Sequence, residues 1–288
     1  MAHYTVFGAG GFIGRHATAA LRRDGHTVST PMRTASFDAG ADLGRVLYCA
    51  GLTADFRARP CDTMEAHVAL PARILGAGRF ESFLYLSSTR LYASASTGRE
   101  SAIVTVDPSE PGDLYNLSKL SGEALCLAHP NPRVRVVRLA NVYGAAMFDP
   151  GADPGNFLTS IVGDAVATGT VALLGSPDSA KDYLHVDDAV RAIVLIATRG
   201  RARLYNVASG RNVTHRRILD RLRDITGIAW SSSADGALVR FPRIATDRIA
   251  GEFSAAGECW NPVRLLDRIP ELVNAASCGR KSIEGAVA

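Results

Sequence analysis

A glycine-rich turn close to the N-terminus constrains the fold of this chain more than any other feature. The β-rich run His3–Phe7 passes directly into Gly8-Ala9-Gly10-Gly11-Phe12-Ile13-Gly14, which opens a helical stretch. A strand, a glycine turn and a helix in this order are typical of a dinucleotide-binding fold. Gly8 would permit the tight turn, Gly11 would let a pyrophosphate approach the backbone, and Gly14 would let helix and strand pack closely. The helix N-terminus would offer free N–H groups to the phosphates.

Strand and helix patterns alternate along the first half of the chain. This alternation predicts an α/β fold of the Rossmann type, a doubly wound parallel sheet with helices on both faces. The strands are predicted near Tyr4, Val28, Leu47, Phe83 and Val136, and the helices near Ala19, Ala69 and Gly122.

The pattern loosens after residue 144, which predicts a smaller C-terminal lobe. We therefore expect a dinucleotide-binding domain over residues 1–144 and a mainly substrate-binding lobe over residues 145–275, with residues 204–207 returning to the main sheet. Residues 276–288 are expected to form a poorly ordered tail. Helices are predicted at 157–167, 187–198, 214–226 and 262–273.

Tyr115 and Lys119 form the strongest candidate for a reaction site. Four residues apart on a helix, they lie on one face, where the lysine charge is expected to lower the phenol pKa so that Tyr115 can transfer a proton near neutral pH. Only three of the 32 basic residues are lysine, and an ammonium differs from a guanidinium beside a phenol and a ribose. The pair Ser87-Ser88 precedes this helix by some thirty positions.

Bulk composition argues against several classes of protein. A net charge of +4 and a pI near 8.9, without a dense basic block, disfavour nucleic acid as a partner. Five scattered cysteines without a Cys-x-x-Cys pair indicate neither a disulfide framework nor a metal site. The sequence shows no apolar run of transmembrane length and no signal peptide, so we expect a cytoplasmic protein without a membrane partner.

With these residues in place, the chain resembles the extended short-chain dehydrogenase/reductase family, the NAD(P)-dependent epimerase/dehydratase group that acts largely on nucleotide sugars. The resemblance runs along most of the chain, and five blocks follow in the family's order. They are the glycines Gly8, Gly11 and Gly14, the serine segment 86–92, the Tyr-x-x-x-Lys block 115–123, the Asn-x-Tyr-Gly block 138–144 and the segment 181–189.

The resemblance implies a role for each matching residue. Tyr115 would be the general acid/base, Lys119 would tune it and hold the nicotinamide ribose, and Ser88 would hydrogen-bond the reacting oxygen, with Ser87 as the alternative if the register differs by one. Asn141 and Lys181 would contact the diphosphate region of the substrate. The predicted cofactor-binding residues are Gly8, Gly11, Phe12, Ile13, Gly14, Arg33, Ala50, Tyr115 and Lys119.

Departures from the family pattern reduce the number of reactions that this chain is expected to catalyse. Dehydratases of the family carry Asp-Glu after the catalytic hydroxyl, where this chain has Thr89 and Arg90. No cysteine lies in this segment either, which disfavours 3,5-epimerisation. What remains is redox at one carbon of a nucleotide sugar by a ketoreductase, a dehydrogenase or a 4-epimerase. His67 stands where relatives have Asn, and we interpret it as structural.

The cofactor preference depends on the end of the second strand, where NAD-dependent relatives place an acidic residue. This chain has Pro31-Met32-Arg33-Thr34, and Arg33 could pair with a 2′-phosphate, so NADP(H) is slightly favoured over NAD(H). Asp38 or Asp42 could instead reach the adenosine. Only twelve residues separate Arg33 from the strand at Val46, which predicts that one strand and helix of the sheet are lost or shortened.

Two other functions stay open. The chain could be a reductase of non-sugar carbonyls, or a catalytically silent dinucleotide sensor or scaffold on the same fold. Intact Ser88, Tyr115 and Lys119 favour an enzyme. The resemblance also implies a homodimer that pairs through the helices near Ala69 and Gly122.

Overall fold

The computed structural model describes residues 1–32, 40–149, 156–233 and 236–287, with the main chain alone for 281–287. The strands are β1 (His3–Phe7), β2 (Thr27–Ser29), β3 (Arg45–Tyr48), β4 (Ser82–Ser88), β5 (Val134–Leu139), β6 (Asn141–Tyr143), β7 (Thr170–Leu173), β8 (Ala180–His185), β9 (Leu204–Val207), β10 (Asn212–Thr214) and β11 (Ala229–Ser232). The α-helices are α1 (Phe12–Arg23), α2 (Pro60–Met64), α3 (Leu70–Ala77), α4 (Asp113–Ala128), α5 (Phe157–Thr168), α6 (Val186–Arg199), α7 (His215–Thr226), α8 (Asp247–Ala255) and α9 (Leu265–Val287).

Three short helical segments complete the described elements. A π-helical turn, Glu65–Ala69, joins α2 to α3. Thr89–Tyr92 and Ala145–Phe148 are 3-10 turns. The first of these 3-10 turns directly follows β4, so it leaves the main sheet at the strand end that carries Ser88.

The main sheet has six parallel strands in the order β2-β1-β3-β4-β5-β9. The chain turns to one side after β1 to form β2 and then crosses to the other side to form β3. Ligands of open α/β sheets bind at such a switch point, outside the carboxyl ends of the strands. The glycine turn after β1 and Ser88 at the end of β4 both lie at this edge.

Helices cover both faces of the sheet. Strands β4 and β5 are buried along almost their whole length, as parallel strands between two helical layers must be. Helices α1 and α6 pack together on one face, over a core that includes Leu21 and Ile193. Helices α3 and α4 cover the other face, where Tyr48 and Tyr85 are fully buried. The predicted Rossmann-type α/β fold is confirmed.

Among the described residues, the main sheet ends at β2. Strand β2 has three residues and forms the sheet edge. Between it and β3, residues 30–32 and 40–44 contain no strand or helix apart from the isolated bridge between Asp42 and Arg79. Arg33 and Asp38 lie outside the described residues. The twelve residues between Arg33 and Val46 are too few for a strand, a helix and two turns. This short interval is the physical reason for the lost or shortened strand and helix that the sequence predicts.

Elements after residue 144 form a second apolar cluster. Helices α5, α7 and α9 pack around Ile161, Ile218 and Ile269, beside the pair β7–β11 and the three-stranded sheet β10-β8-β6. Strand β9 pairs in parallel with β5 and so belongs to the main sheet. A domain boundary at residue 144 stays a prediction.

The C-terminal segment is helical. Residues 276–287 continue α9, and the expected poor order of residues 276–288 stays a prediction. Ala276 is buried, and a β-carbon on Gly279 would lie 2.5 Å from the carbonyl oxygen of Phe148. The helix backbone therefore packs directly on the 3-10 turn Ala145–Phe148, a tertiary contact that composition does not reveal. No helix in the described ranges, α9 included, has the length and apolar character needed to cross a membrane.

Candidate active site

The glycine turn after β1 requires glycine at two positions for steric reasons. Gly8 has φ +77°, and a β-carbon there would lie 2.6 Å from the Ala50 nitrogen. A β-carbon on Gly14 would collide with the carbonyl oxygen of Gly8. Gly11 is different, because its β-carbon would make only an ordinary 3.4 Å contact with that oxygen. The packing of the fold thus explains why glycine is required at positions 8 and 14. It gives no reason for glycine at position 11.

The N-terminus of α1 fits a dinucleotide pyrophosphate. Gly11 is its N-cap and provides no side-chain cap, and the first turn contains no acidic residue. The N–H groups of Phe12, Ile13 and Gly14 therefore keep their hydrogen-bonding capacity, at the positive end of the helix dipole. Ala50, just after β3, lies against this turn. These predicted cofactor-binding residues lie together at the switch point of the sheet.

Tyr115 and Lys119 lie on the buried face of α4, against the end of β4. Their side chains are almost fully buried. Lys119 Nζ donates a hydrogen bond to the Leu86 carbonyl oxygen at 2.9 Å and lies 5.9 Å from the centre of the Tyr115 ring. The Ser88 hydroxyl hydrogen-bonds the phenol and lowers its pKa. Successive side chains of a strand point to opposite faces. Ser87 Oγ is buried on the other face and has no hydrogen-bond partner among the described residues.

Several neighbours act on the pKa of the phenol. Burial raises the pKa of Tyr115, while the Ser88 hydrogen bond and the charge of Arg90 lower it. Burial also lowers the pKa of Lys119 to about 7, against the opposing effect of Glu123. Arg90 is thus a second cation beside the phenol, and the expected effect of Lys119 on the phenol pKa stays a prediction.

His67 supports the reaction face of α4 from behind. It is fully buried; its Nδ1 lies 2.8 Å from Ser118 Oγ and its Nε2 accepts the Leu52 N–H at 3.2 Å. Burial, followed by the charge of Lys119, lowers the pKa of His67 to about 2, so the ring is neutral. Its edge meets the Tyr115 ring at a centroid distance of 5.5 Å. These contacts agree with a structural histidine.

The π-helical turn that carries His67 has a cause in the sequence. Pro71 has no N–H, so the carbonyl group of His67, four residues earlier, loses its helical donor. The Tyr85 hydroxyl replaces it and donates to that carbonyl at 3.0 Å. Tyr48 donates to the Ala66 carbonyl at 2.6 Å. Two buried tyrosines of the sheet thus satisfy the carbonyl groups that the irregular turn exposes.

Helix α4 approaches this turn closely because of Gly122. A β-carbon at Gly122 would lie 2.5 Å from the His67 carbonyl oxygen and would collide with the Tyr85 hydroxyl. The absent side chain lets α4 reach the depth at which Ser118 meets His67. Gly122 therefore acts as a packing residue for the site.

The predicted substrate-binding residues line one cavity at the carboxyl end of β4. It has a volume of about 390 Å³, and its lining includes Ser88, Arg90, Asn141 and Lys181. Asn141 Nδ2 donates to the Asp182 carbonyl oxygen at 2.8 Å. Burial and the charge of Arg90 lower the pKa of Lys181. Across the ranges that the structure describes, no cluster of histidine, cysteine and carboxylate side chains is arranged to bind a metal ion.

Two of these contacts were not predicted. The approach of Arg90 to Tyr115 was missed because the residue was considered only as a departure from an acidic position. The bond between His67 and Ser118 was missed because it joins side chains 51 positions apart. The sequence did carry a signal for the irregular turn at His67, because a proline four residues later leaves the carbonyl group of His67 without its helical donor.

Comparison with known proteins agrees with this geometry. The family model for the NAD dependent epimerase/dehydratase family matches residues 4–208. The chain is 34% identical over 155 residues to a dTDP-glucose 4,6-dehydratase of Streptomyces griseus, a match that covers 52% of this chain and 45% of that protein. It thus spans about half the length of this curated relative. It is 27% identical to the GDP-6-deoxy-D-mannose reductase of Pseudomonas aeruginosa, over 89% of this chain and 91% of that one.

Solved structures have the same fold. MoeE5 in complex with UDP-glucose and NAD superposes with a TM-score of 0.73 at 23% identity, covering 98% of this chain and 99% of that chain. RMD from Pseudomonas aeruginosa complexed with NADPH gives a TM-score of 0.75 at 21% identity, covering 96% and 99%. Together with the family model, which covers well over half of the chain, these findings show that the chain belongs to the NAD dependent epimerase/dehydratase family.

Proposed function

We propose that this protein catalyses NAD(P)-dependent redox at one carbon of a nucleotide-activated sugar, as a 4-ketoreductase, a dehydrogenase or a 4-epimerase. The observation that carries the proposal is the convergence of Ser88, Tyr115 and Lys119 on one strand end beside the glycine turn, with Ser88 in the lining of the cavity. A silent scaffold has no chemical need for a buried phenol that is hydrogen-bonded to a serine.

Each residue has a defined task in this proposal. A nicotinamide dinucleotide, when bound, supplies the hydride acceptor or donor. Tyr115 exchanges a proton with the oxygen on the reacting carbon. Ser88 hydrogen-bonds that oxygen and fixes its position, and Lys119 binds the nicotinamide ribose. Asn141 and Lys181 bind the diphosphate of the substrate as polar and cationic contacts.

Two observations favour redox at one carbon over dehydration. Thr89 and Arg90 occupy the positions at which a dehydratase of this family needs acidic groups, and a guanidinium does not exchange protons near neutral pH. In addition, the match to the GDP-6-deoxy-D-mannose reductase extends over 91% of that protein, whereas the match to the Streptomyces griseus dehydratase covers 45%.

We propose NADP(H) as the preferred cofactor, with NAD(H) as the alternative. Thr30, Pro31 and Met32, which follow β2, provide no carboxylate for a ribose 2′-hydroxyl. Asp42 accepts the Gly44 N–H at 3.0 Å and is already engaged. If Arg33 binds a 2′-phosphate, Arg33→Ala will weaken NADPH binding far more than NADH binding. If Arg33→Ala weakens the binding of NADPH and NADH equally, Arg33 does not bind a 2′-phosphate.

We also propose a homodimer that pairs through α4 and the helical stretch of residues 60–77. The outer side of α4 exposes Ala124 and part of Leu127. Ala124→Arg is then expected to convert a dimer into monomers in sedimentation equilibrium. A wild-type protein that sediments as a monomer would contradict this proposal.

The first test of the function is to identify the reaction. Protein freshly purified and denatured would release any retained dinucleotide for mass spectrometry. NAD(H) retained near one per chain would indicate an epimerase, which regenerates its cofactor in place. Protein without a dinucleotide would next be tested with NADPH and 4-keto nucleotide sugars carrying UDP, dTDP or GDP. If no sugar is reduced, oxidised or epimerised with either cofactor, the proposed function is wrong.

A further inference from the structure

Two cations share the cavity beside Tyr115. Arg90 and Lys181 both line it, and both side chains are partly buried. The charge of Arg90 contributes to the lowered pKa of Lys181, so the two groups lie within electrostatic range of each other. In the described ranges neither side chain forms an ion pair. Two unpaired positive charges in a partly desolvated space repel each other, and they are stabilised only when anions enter.

The carboxylate that lines the cavity does not compensate these charges. Asp182 lines the same cavity, but its two oxygens accept main-chain N–H groups, from Ser209 at 2.8 Å and from Arg211 at 2.9 Å. Asp182 therefore holds a loop in place, and the cavity keeps its positive character.

Arg90 is held in position next to the reacting phenol. One Nη donates to the Gly112 carbonyl oxygen at 3.2 Å, and the guanidinium carbon lies 5.3 Å from the ring centres of both Phe56 and Tyr115. The Nε and the other Nη have no acceptor in the part of the chain that the structure describes. A guanidinium fixed on aromatic faces with donors to spare is arranged for bidentate binding of a planar anion.

We propose that the sugar substrate carries a carboxylate and that Arg90 binds it, so that the substrate is a nucleotide-activated uronic acid. This inference rests on the proposed function. In a hexose that reacts at carbon 4, the nucleotide is attached across the ring at carbon 1, whereas the carboxylate of a uronic acid is attached to carbon 5, next to the reacting carbon. Arg90 lies beside the reacting phenol and so faces the carboxylate. Lys181 is left for the diphosphate.

Matched pairs of ligands test this assignment. Calorimetric titration of the dinucleotide-loaded protein would compare UDP-glucuronic acid with UDP-glucose, dTDP-glucuronic acid with dTDP-glucose, and GDP-mannuronic acid with GDP-mannose. For the nucleotide that the protein accepts, the acid is expected to bind at least about tenfold more tightly, because its carboxylate adds a charge-assisted pair of hydrogen bonds.

Variants then identify the residue that is responsible. Arg90→Gln is expected to remove the advantage of the acid and to leave the affinity for the neutral sugar within about threefold, whereas Lys181→Gln should weaken both members of a pair equally. Arg57→Gln is the matched control, because Arg57 also contacts the Phe56 ring but does not line the cavity. It should change neither affinity.

The outcomes separate the two proposals. Equal binding of acid and neutral sugar by the wild-type protein overturns the uronic acid assignment and leaves the nucleotide-sugar function standing. Equal weakening of both ligands by Arg90→Gln shows that Arg90 binds the nucleotide part, and it also overturns the assignment. If no pair binds at all, the nucleotide-sugar function itself fails and the assignment fails with it. The wild-type comparison remains decisive even if Arg90→Gln does not fold.

Discussion

The guanidinium carbon of Arg90 lies 5.3 Å from the centre of the Tyr115 ring, closer than the ammonium of Lys119 at 5.9 Å. Arg90 therefore affects both the proton transfer and the substrate. It lowers the pKa of Tyr115 against the effect of burial. It also gives the cavity a positive charge beside the reacting oxygen, so one substitution at this position is expected to change a pH profile and a ligand preference together.

Tyr115→Phe is expected to lower turnover by about a hundredfold to ten-thousandfold, because general acid/base catalysis contributes that much. The phenyl ring keeps its packing against Phe56 and His67, both at centroid distances of 5.5 Å, so dinucleotide binding should persist. Steady-state kinetics and a fluorescence titration of the dinucleotide measure the two effects. Near-normal turnover would remove Tyr115 from the mechanism.

The two adjacent serines provide a matched pair for the same mechanism. Ser88→Ala should reduce turnover, since the Ser88 hydroxyl hydrogen-bonds the phenol. Ser87→Ala should not, because Ser87 Oγ is buried on the other face of β4, where no described residue hydrogen-bonds it. If Ser87→Ala reduces turnover and Ser88→Ala does not, the catalytic hydroxyl is that of Ser87.

Removal of the Arg90 charge should shift the pH dependence of the oxidation of a hydroxyl group. In that direction Tyr115 acts as a base, so kcat/KM rises with pH as the phenol loses its proton. Arg90 lowers the pKa of Tyr115, so Arg90→Gln moves this rise to higher pH. Arg57→Gln, which removes a cation that lies over the neighbouring Phe56 ring, should leave the profile in place. Superimposable profiles for wild type and Arg90→Gln would contradict this effect.

Lys119 should make the stability of the dinucleotide-free protein depend on pH. The unfolded chain keeps this proton up to a pKa of about 10.4, but burial lowers the folded pKa to about 7. Between these values the unfolded state binds more protons, so the free energy of unfolding rises with pH by at most about 1.4 kcal/mol per unit. Burial raises the pKa of nearby Cys49 to about 12, so above its unfolded pKa of about 8.5 this thiol lowers the free energy of unfolding as the pH rises, but it does so with or without Lys119. His67 is already neutral.

The reference for that measurement is Lys119→Met, which lacks the titrating group. Urea unfolding of both proteins near pH 7 and near pH 9.5 should give a difference in unfolding free energy that grows in favour of the wild type. If the unfolding free energies of the two proteins change equally between these pH values, Lys119 titrates at its ordinary pKa and is better solvated than its burial implies.

The glycines of the first turn should separate folding from cofactor binding. Gly14→Ala introduces a collision with the Gly8 carbonyl and is expected to lower the melting temperature. Gly11→Ala meets only a 3.4 Å contact, so it should melt normally but lose dinucleotide affinity if a pyrophosphate lies against it. Gly10→Ala has no neighbour within 4 Å and is the control for both measurements. Normal dinucleotide binding by Gly11→Ala would place the pyrophosphate elsewhere.

Tyr85→Phe should destabilise the protein by about 1–3 kcal/mol, because the His67 carbonyl would lose its donor and Pro71 cannot replace it. Tyr183→Phe is the matched control, since the buried Tyr183 hydroxyl has no hydrogen-bond partner in the described part of the chain and its removal should cost little. Gly122→Ala should also destabilise, by roughly 1–3 kcal/mol, through overpacking against Tyr85. Thermal and urea unfolding would rank the three variants.

Much of the fold was predictable because its signals are local in sequence. The turn from Gly8 to Gly14 identified the switch point, and the twelve residues after Arg33 were too few for a further strand and helix. The helical end of the chain was not predictable in this way. It depends on the contact of Gly279 with Phe148, more than 100 positions away in sequence.

In the candidate site, too, the features with a local sequence signal were predictable and those that depend on distant contacts were not. Tyr115, Lys119 and Ser88 could be identified because their spacing and order carry a motif. The partner of each charge could not be identified, because it depends on side-chain direction. Lys119 donates to the Leu86 carbonyl, and Arg90 folds over the Tyr115 ring. Both contacts join residues more than twenty positions apart.

The π-helical turn at residues 65–69 makes helix length a determinant of the site. One residue of an α-helix corresponds to a rotation of about 100° around its axis. Deleting a residue between this turn and Ile74 would rotate the turn by that angle relative to the rest of α3. His67 could then not face Ser118 while Ile74 stays in the core. Insertions and deletions, more than substitutions, are therefore the changes that this stretch of the chain would tolerate least.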